Sequence, residues 1–285
     1  MTRRALTLIG VAGATLAAAV WLGQAAPAGA TYLHTTRGAA ASSDVSANWS
    51  GYAATAGAST FTDVTGTWKV PAASCTPGSS SSAAIWVGLG GYAANSQYLE
   101  QTGTSSDCSA LGTPSYYIWY ELVQPGPAGG SVNVKLKLKV GDTVTASVVA
   151  NTSGILVQVK DRTRKTSFTK QLPMTDSDLS SAEWIVEAPS ECGVGNFCRV
   201  VPLTNFGSVT FSNVSALAGG AGGTLSANPG WTVTNINLVP QTHHFFGDPK
   251  NGEGSSGAGA SPTTPSADGK SFTVNYDATS GAEAA

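Results

Sequence analysis

The sequence predicts an all-β protein built as a sandwich of two large antiparallel sheets. Short alternating apolar segments recur from Asn48 to Val239, Gly, Pro, Ser and Asn punctuate them, and no stretch sustains a helical period. A dozen or so such segments exceed what one twisted open sheet usually holds. Two packed sheets with a shared interior are the natural solution, of the lectin/glucanase (concanavalin A-like) shape.

The elements follow in chain order. Arg3 and Arg4 precede an apolar run over 5–22 that ends in Ala26-Pro27-Ala28-Gly29-Ala30, the pattern of a secretory signal peptide over 1–30. The other reading of that run is a membrane anchor, since its length approaches a bilayer span. No later segment resembles a span, so the product is expected to be secreted, with no membrane attachment after cleavage. Residues 31–43 read as a leader or short pro-segment, and 44–249 as one β-domain. Residues 250–285 read as a Gly/Ser/Pro-rich loop with a C-terminal strand at Ser271-Phe272-Thr273-Val274-Asn275-Tyr276, or a tail. Strands are expected near 48–55, 62–70, 83–89, 97–103, 115–123, 142–150, 155–159, 165–171, 182–187, 209–211 and 231–239. The clearest is 132–140, where Val132, Val134, Leu136, Leu138 and Val140 alternate with Asn133, Lys135, Lys137 and Lys139.

Composition narrows the chemistry. Without Arg3 and Arg4 the chain carries 13 basic against 17 acidic residues, which is no nucleic-acid footprint. Only 11% of residues are charged, and neutral polar residues supply the rest of the surface, a balance that suits an acidic medium. Four cysteines in an exported chain point to two disulfides. Of the three possible connectivities we favour Cys192 with Cys198, which closes a short loop, and Cys75 with Cys108. The spacing matches no common zinc pattern.

Elimination then points to carboxylates. The histidines are His34, in the leader, and the adjacent His243 and His244, with no Gly-x-Ser-x-Gly elbow beside them, which disfavours a serine triad. There is no His-Glu-x-x-His, and the cysteines are expected to be paired. No Asp-Thr/Ser-Gly tripeptide is present, but Gln101-Thr102-Gly103 is. The concentrated acidic segment is Ala182-Glu183-Trp184-Ile185-Val186-Glu187. On a strand, Glu183, Ile185 and Glu187 share one face while Trp184 and Val186 enter the core. Glu183 and Glu187 lie about 13 Å apart along such a strand, too far for a glycosidase pair. Without further pattern, Glu183 reads as a solvated surface carboxylate.

Taken together, Asn48-Trp49-Ser50-Gly51-Tyr52-Ala53, Trp86-Val87-Gly88-Leu89-Gly90-Gly91, Leu99-Glu100-Gln101-Thr102-Gly103, Tyr117-Ile118-Trp119-Tyr120-Glu121 and Ala182-Glu183-Trp184-Ile185-Val186-Glu187 resemble the glutamic peptidase (eqolisin) family in order and spacing. The resemblance spans about 48–240. It implies a two-sheet sandwich with substrate across its concave face, no metal and no cofactor, and protein or peptide substrates cleaved by a monomer. It places the catalytic pair on Gln101 and Glu183, with Glu187 the competing glutamate of the same hexapeptide. It suggests that Trp49, Trp86, Tyr120 and Glu121 shape the substrate cleft, although ordinary sheet packing explains each of them equally well. Two departures stand out: fungal relatives resemble Trp-Val-Gly-Ile-Asp-Gly where this chain has Gly90, and Thr104-Ser105 lacks an expected acid. Fewer carboxylates near the base would leave less like-charge repulsion to raise its pKa. Two other classes remain open on the same sandwich: a lectin-like carbohydrate-binding protein, and a glycoside hydrolase pairing Glu183 with a distant acid such as Glu121.

Overall fold

The computed structural model describes residues 34–35, 43–58, 60–125, 130–174, 176–192, 198–226, 230–240 and 257–278. Among them every regular element is a strand: β1 (His34–Thr35), β2 (Ser43–Ser46), β3 (Trp49–Thr55), β4 (Phe61–Lys69), β5 (Ser81–Gly90), β6 (Leu99–Cys108), β7 (Pro114–Val123), β8 (Val132–Val134), β9 (Thr143–Asn151) and β10 (Gly154–Asp161) come first. They are followed by β11 (Thr166–Leu172), β12 (Ser181–Glu187), β13 (Ser190–Cys192), β14 (Cys198–Val200), β15 (Ser208–Ala218), β16 (Ala221–Gly223), β17 (Thr232–Leu238), β18 (Gly259–Pro262) and β19 (Phe272–Asp277). Among the described residues no helix is long and apolar enough to cross a membrane.

Hydrogen bonding joins 17 of these strands into one network, with β13–β14 as a separate ladder. One half runs β8-β7-β6-β5-β12-β3-β17. The chain of pairings then passes through β18, β19 and β15 into β4-β9-β10-β11. Every pair is antiparallel except β2 with β17. Where the strand count suggests two separate sheets, the pairings form one continuous network. β15 is the connector, because its first residues pair with β19 and its later ones with β4, with register shifts after Ser212 and Leu217. Such bulges bend a strand and let it change partners along its length.

The halves meet through side chains that alternate inward. The indole of Trp68 in β4 donates to Thr104 in β6 at 2.9 Å, and that of Trp184 in β12 donates to the Thr65 carbonyl in β4 at 2.8 Å. Tyr120 in β7 stacks on Phe168 in β11. Trp184 and Val186 lie in this main core, as their strand position predicts. β9 and β10 show the inside–outside alternation of half-solvated strands, whereas β12 is buried at every position.

One sequence expectation is revised, and two flanking segments carry pairings. The 132–140 segment is strand only over Val132–Val134; Leu136 N–H turns back to the Val134 carbonyl and the ladder stops, although Leu138 still reaches the core. The excursion after 250 contains strand β18, which pairs with β17 and β19, so the C-terminal strands belong to the same network as the rest. Its residues 251–256 lie outside the described ones, as do His243 and His244. Part of the expected leader is also paired, β1 against β2. Cys75 and Cys108 form a disulfide across a separation of 33 residues, as expected. A loop of that size is worth about 3–4 kcal/mol in the chain-entropy account. Cys192 and Cys198 face each other in the β13–β14 register, but their side chains lie outside the described ones.

Candidate active site

Directly opposed residues of antiparallel strands share a face. The registers therefore define one row across the sheet: Thr234 in β17, Ala53 in β3, Glu183 in β12, Gly88 in β5, Gln101 in β6 and Glu121 in β7. Gln101 and Glu183, 82 positions apart in sequence, are brought to one face with Gly88 between them. Two strand spacings, about 9.5 Å, separate their backbones. Gly88 contributes no side chain to that interval, and Trp86 and Leu99 enter it instead: a Cβ at 88 would lie 2.8 Å from the Trp86 ring and 3.0 Å from Leu99 Cδ1.

The rows beside this one are aromatic and apolar. Trp49, Ala53, Ala84, Trp86, Leu99, Trp119, Ile185 and Ile236 form a second buried cluster on this face, against which Tyr92, Tyr117 and Val123 pack. The Gln-Thr-Gly motif has a local reason. Thr102 anchors β6 from the opposite face by donating to the Trp119 carbonyl at 2.7 Å, and Gly103 makes room for Trp86, whose Cβ would lie 2.7 Å from any Cβ at 103.

The two glutamates of β12 have different surroundings. Glu187 accepts from Asn48 Nδ2 at 3.1 Å on Oε1 and from the Trp86 indole at 2.9 Å on Oε2. Burial pushes its pKa up to about 7, against the downward pull of hydrogen bonds from Trp86, Trp49 and Asn48. Glu183 is fully buried and, among the described residues, neither of its oxygens has a hydrogen-bond partner. Burial carries its carboxyl well above the usual range, and the charges of Asp178 and Glu100 push the same way. The Ser181 hydroxyl offsets part of this without making a bond of standard geometry.

Gln101 donates from Nε2 to Glu121 Oε2 at 3.2 Å, while its Oε1 has no partner among the described residues. Burial, and then the charge of Glu187, raise the Glu121 carboxyl to about 8, with the Gln101 bond opposing. A protonated or a charged Glu121 can each accept that bond, so it fixes which way the Gln101 amide faces. Buried polar atoms without partners are rare in folded proteins. Here two of the residues bearing them, Glu183 and Gln101, lie on one face on either side of Gly88.

The structure places the other expected site residues as follows. Trp49 and Trp86 are on the face of the row, edge to face at 5.1 Å, and both are buried where they hold Glu187. Tyr120 lies on the opposite face, stacked on Phe168 beneath Lys170, and does not meet Gln101 or Glu183. Glu121 belongs to the row. Sequence reading assigned no role to Asn48, although it stands in a quoted motif, nor to Tyr92, Thr234, Glu100 or Asp178. Their places follow from long-range pairing and loop packing, for which the local sequence carries no signal. The expected shortage of carboxylates near Glu183 is also revised. Gly90 and Thr104-Ser105 do lack acids, but Asp178 and Glu100 approach from other segments.

Residues 47–244 match the Peptidase A4 family. The chain is 30% identical over 199 residues to Aspergillopepsin-2 of Aspergillus niger, covering 62% of this chain and 67% of that protein. It is 30% identical over 184 residues to Scytalidopepsin B of Scytalidium lignicola, covering 62% of this chain and 65% of that one. The chain thus spans about two thirds of the length of these relatives. The fold is similar to that of Scytalido-glutamic peptidase crystallised with a peptide based transition state analog, with a TM-score of 0.61 at 22% identity over 81% of this chain and 98% of that one. It is likewise similar to SCP-B, an eqolisin in complex with the tripeptide Ala-Ile-His, with a TM-score of 0.58 at 21% identity over the same shares. With that match over most of its described strands, the chain belongs to the Peptidase A4 family, the glutamic peptidases or eqolisins.

Proposed function

We propose that the protein is a secreted endopeptidase that acts in acid on protein or peptide substrates, with Glu183 as general base and acid and Gln101 as the oxyanion donor. The observation that carries this reading is the row itself: Glu183 and Gln101 lie on one face on either side of Gly88, and both bear buried oxygens without a partner among the described residues. In the attack step Glu183 takes a proton from water as the water oxygen bonds to the peptide carbonyl carbon. The carbonyl oxygen becomes an oxyanion, which the Gln101 amide stabilises by donation. Glu183 then gives its proton to the amide nitrogen as the C–N bond breaks, leaving an acid and an amine. The proton affinity of Glu183, raised by burial, suits the second role; the first needs the ionised form, so cleavage in acid requires that the attacking water and substrate offset the effect of burial. Glu187 is held by Asn48 and two tryptophans, which supports Glu183 over Glu187 as the reacting carboxylate.

The sugar-hydrolase alternative is less well supported. Glu121 is three strand spacings from Glu183, about 14 Å between backbones, whereas carboxylates of glycosidase pairs lie about 5–9.5 Å apart. The two-layer, concanavalin-like description, cleavage after residue 30, the leader at 31–43, the domain limits of 44–249 with the segment 250–285 beyond, a monomeric state and freedom from membrane and nucleic acid belong to this proposal. So do Trp49, Trp86 and Glu121 as cleft residues, the second disulfide between Cys192 and Cys198, and a reaction with neither metal nor cofactor. The test is hydrolysis of a denatured protein from pH 2 to 7, with pepstatin and a chelator as controls. Acid cleavage that survives both inhibitors and disappears in Glu183→Gln and Gln101→Ala supports the proposal. A folded wild type without cleavage sinks it.

A further inference from the structure

Segment 176–180 leads directly into β12, and its Asp178 packs against the end of β5 and the loop that follows it. The carboxylate accepts from the Ser96 hydroxyl, from Gly91 N–H at 3.4 Å and from Ser180 N–H at 2.9 Å. Gly90 takes φ +78°, and a Cβ there would fall 2.2 Å from the Asp178 carbonyl oxygen and 2.9 Å from the Asp178 Cβ. A side chain at 90 and Asp178 in this place exclude each other. One carboxylate thus ties the loop 91–98, which connects β5 to the strand of Gln101, to the segment that carries Glu183.

The charge on Asp178 is also protected. Burial by itself would raise its pKa, but the bonds from Ser180, Ser96 and Gly91 outweigh that and hold it below the usual range. The charged and titratable groups around Glu183 are Glu187 on its own strand, Glu100 and Glu121 on β6 and β7, Tyr92 on the loop after β5, and Asp178. β3 and β17 place only Ala53 and Thr234 beside it. Among the described residues none of these carboxylates has a Lys or Arg within 4 Å; the ion pairs lie elsewhere.

We propose that Asp178 is a positioning residue of the peptidase site: clamped against Gly90, Gly91, Ser96 and Ser180, it is the fixed negative charge beside Glu183 and fastens the loop 91–98 to the base's strand. This rests on the peptidase reading above. A like charge disfavours ionisation of its neighbour, so Asp178 delays the appearance of the base form as pH rises. It does so from a different segment than position 90, where this chain has no side chain.

The test is the pH dependence of kcat/KM on a soluble peptide for wild type, Asp178→Asn, Asp178→Ser and Asp176→Asn, the last removing an exposed charge two residues away. Loss of charge at 178 is expected to move the acid limb down by about one pH unit, with Asp176→Asn moving it far less. An acid limb that stays in place in folded Asp178→Asn overturns the proposal. So does a failure of both charge-removing variants to fold, which would mark Asp178 as purely structural. A wild type that leaves the peptide uncut at every pH would instead defeat the peptidase reading.

Discussion

Carboxylates meet opposite fates in two regions of this molecule. At the end of β9 and β10, Asp142 and Asp161 share Arg164, whose Nε lies 2.5 Å and 3.6 Å from them, and Asp142 is held below its ordinary pKa although burial opposes this. Across β12, β6 and β7, the four glutamates 183, 187, 100 and 121 are buried without a cation among the described residues, and all are raised. The first arrangement steadies a corner of the sheet. The second raises the proton affinity of buried acids, where a small change of environment moves a proton. The difference lies in the partner, since burial pushes Asp142 up as it does the glutamates, and of these only Asp142 has a guanidinium to answer it.

The comparison can be broken most severely at Glu183. Glu183→Gln is expected to lower kcat by about 10³–10⁴-fold in steady-state peptide hydrolysis while raising thermal stability at neutral pH, because an amide has no proton to lose. Glu187→Gln should retain cleavage. Gln101→Ala comes next, with an expected loss of about 10²–10³ in kcat and little change in the pH profile, since Gln does not titrate.

Stability against pH sharpens the contrast between the regions. Glu100, Glu121 and Glu187 rise from 4.5 to about 9, 8 and 7, so the folded state binds more protons than the unfolded one between those values. Stability should be full below about pH 4.5 and fall as pH rises towards 7–9. We expect Tm by calorimetry to drop on the order of 10 °C between pH 4 and pH 8, and Glu100→Gln to flatten the decline. A Tm that rises over this range would contradict the buried, cation-free arrangement. The Arg164 corner should show the smallest effect and the reverse sign. Asp142 is depressed, so its contribution is present above its ordinary pKa of 3.8 and disappears as pH falls through the lower folded value. Arg164→Ala should lower Tm by at most a few degrees at pH 7, less in high salt, and not at all in strong acid.

Much of this was legible locally. Alternation located most strands, and the two-residue period put Glu183, Ile185 and Glu187 on one face with Trp184 inward. The same period misled at 132–140, because alternation reports which side is buried but not whether a neighbouring strand is there to bond. Tyr120 illustrates a further limit. It follows Trp119 in an aromatic motif, and one residue of shift sends it to the other face of the sheet.

The sequence by itself determined the all-β class, the cysteines of the Cys75–Cys108 bridge and the residue types able to move a proton, since these depend on composition and on neighbours within a few positions. Tertiary structure alone decided that Gln101 and Glu183 flank Gly88, that Glu187 is saturated by Asn48 and Trp86, and that Asp178 lies against Gly90. Those facts are set by register between strands distant in sequence. Burial and charge, which fix proton affinity, are properties of that assembled neighbourhood rather than of any segment.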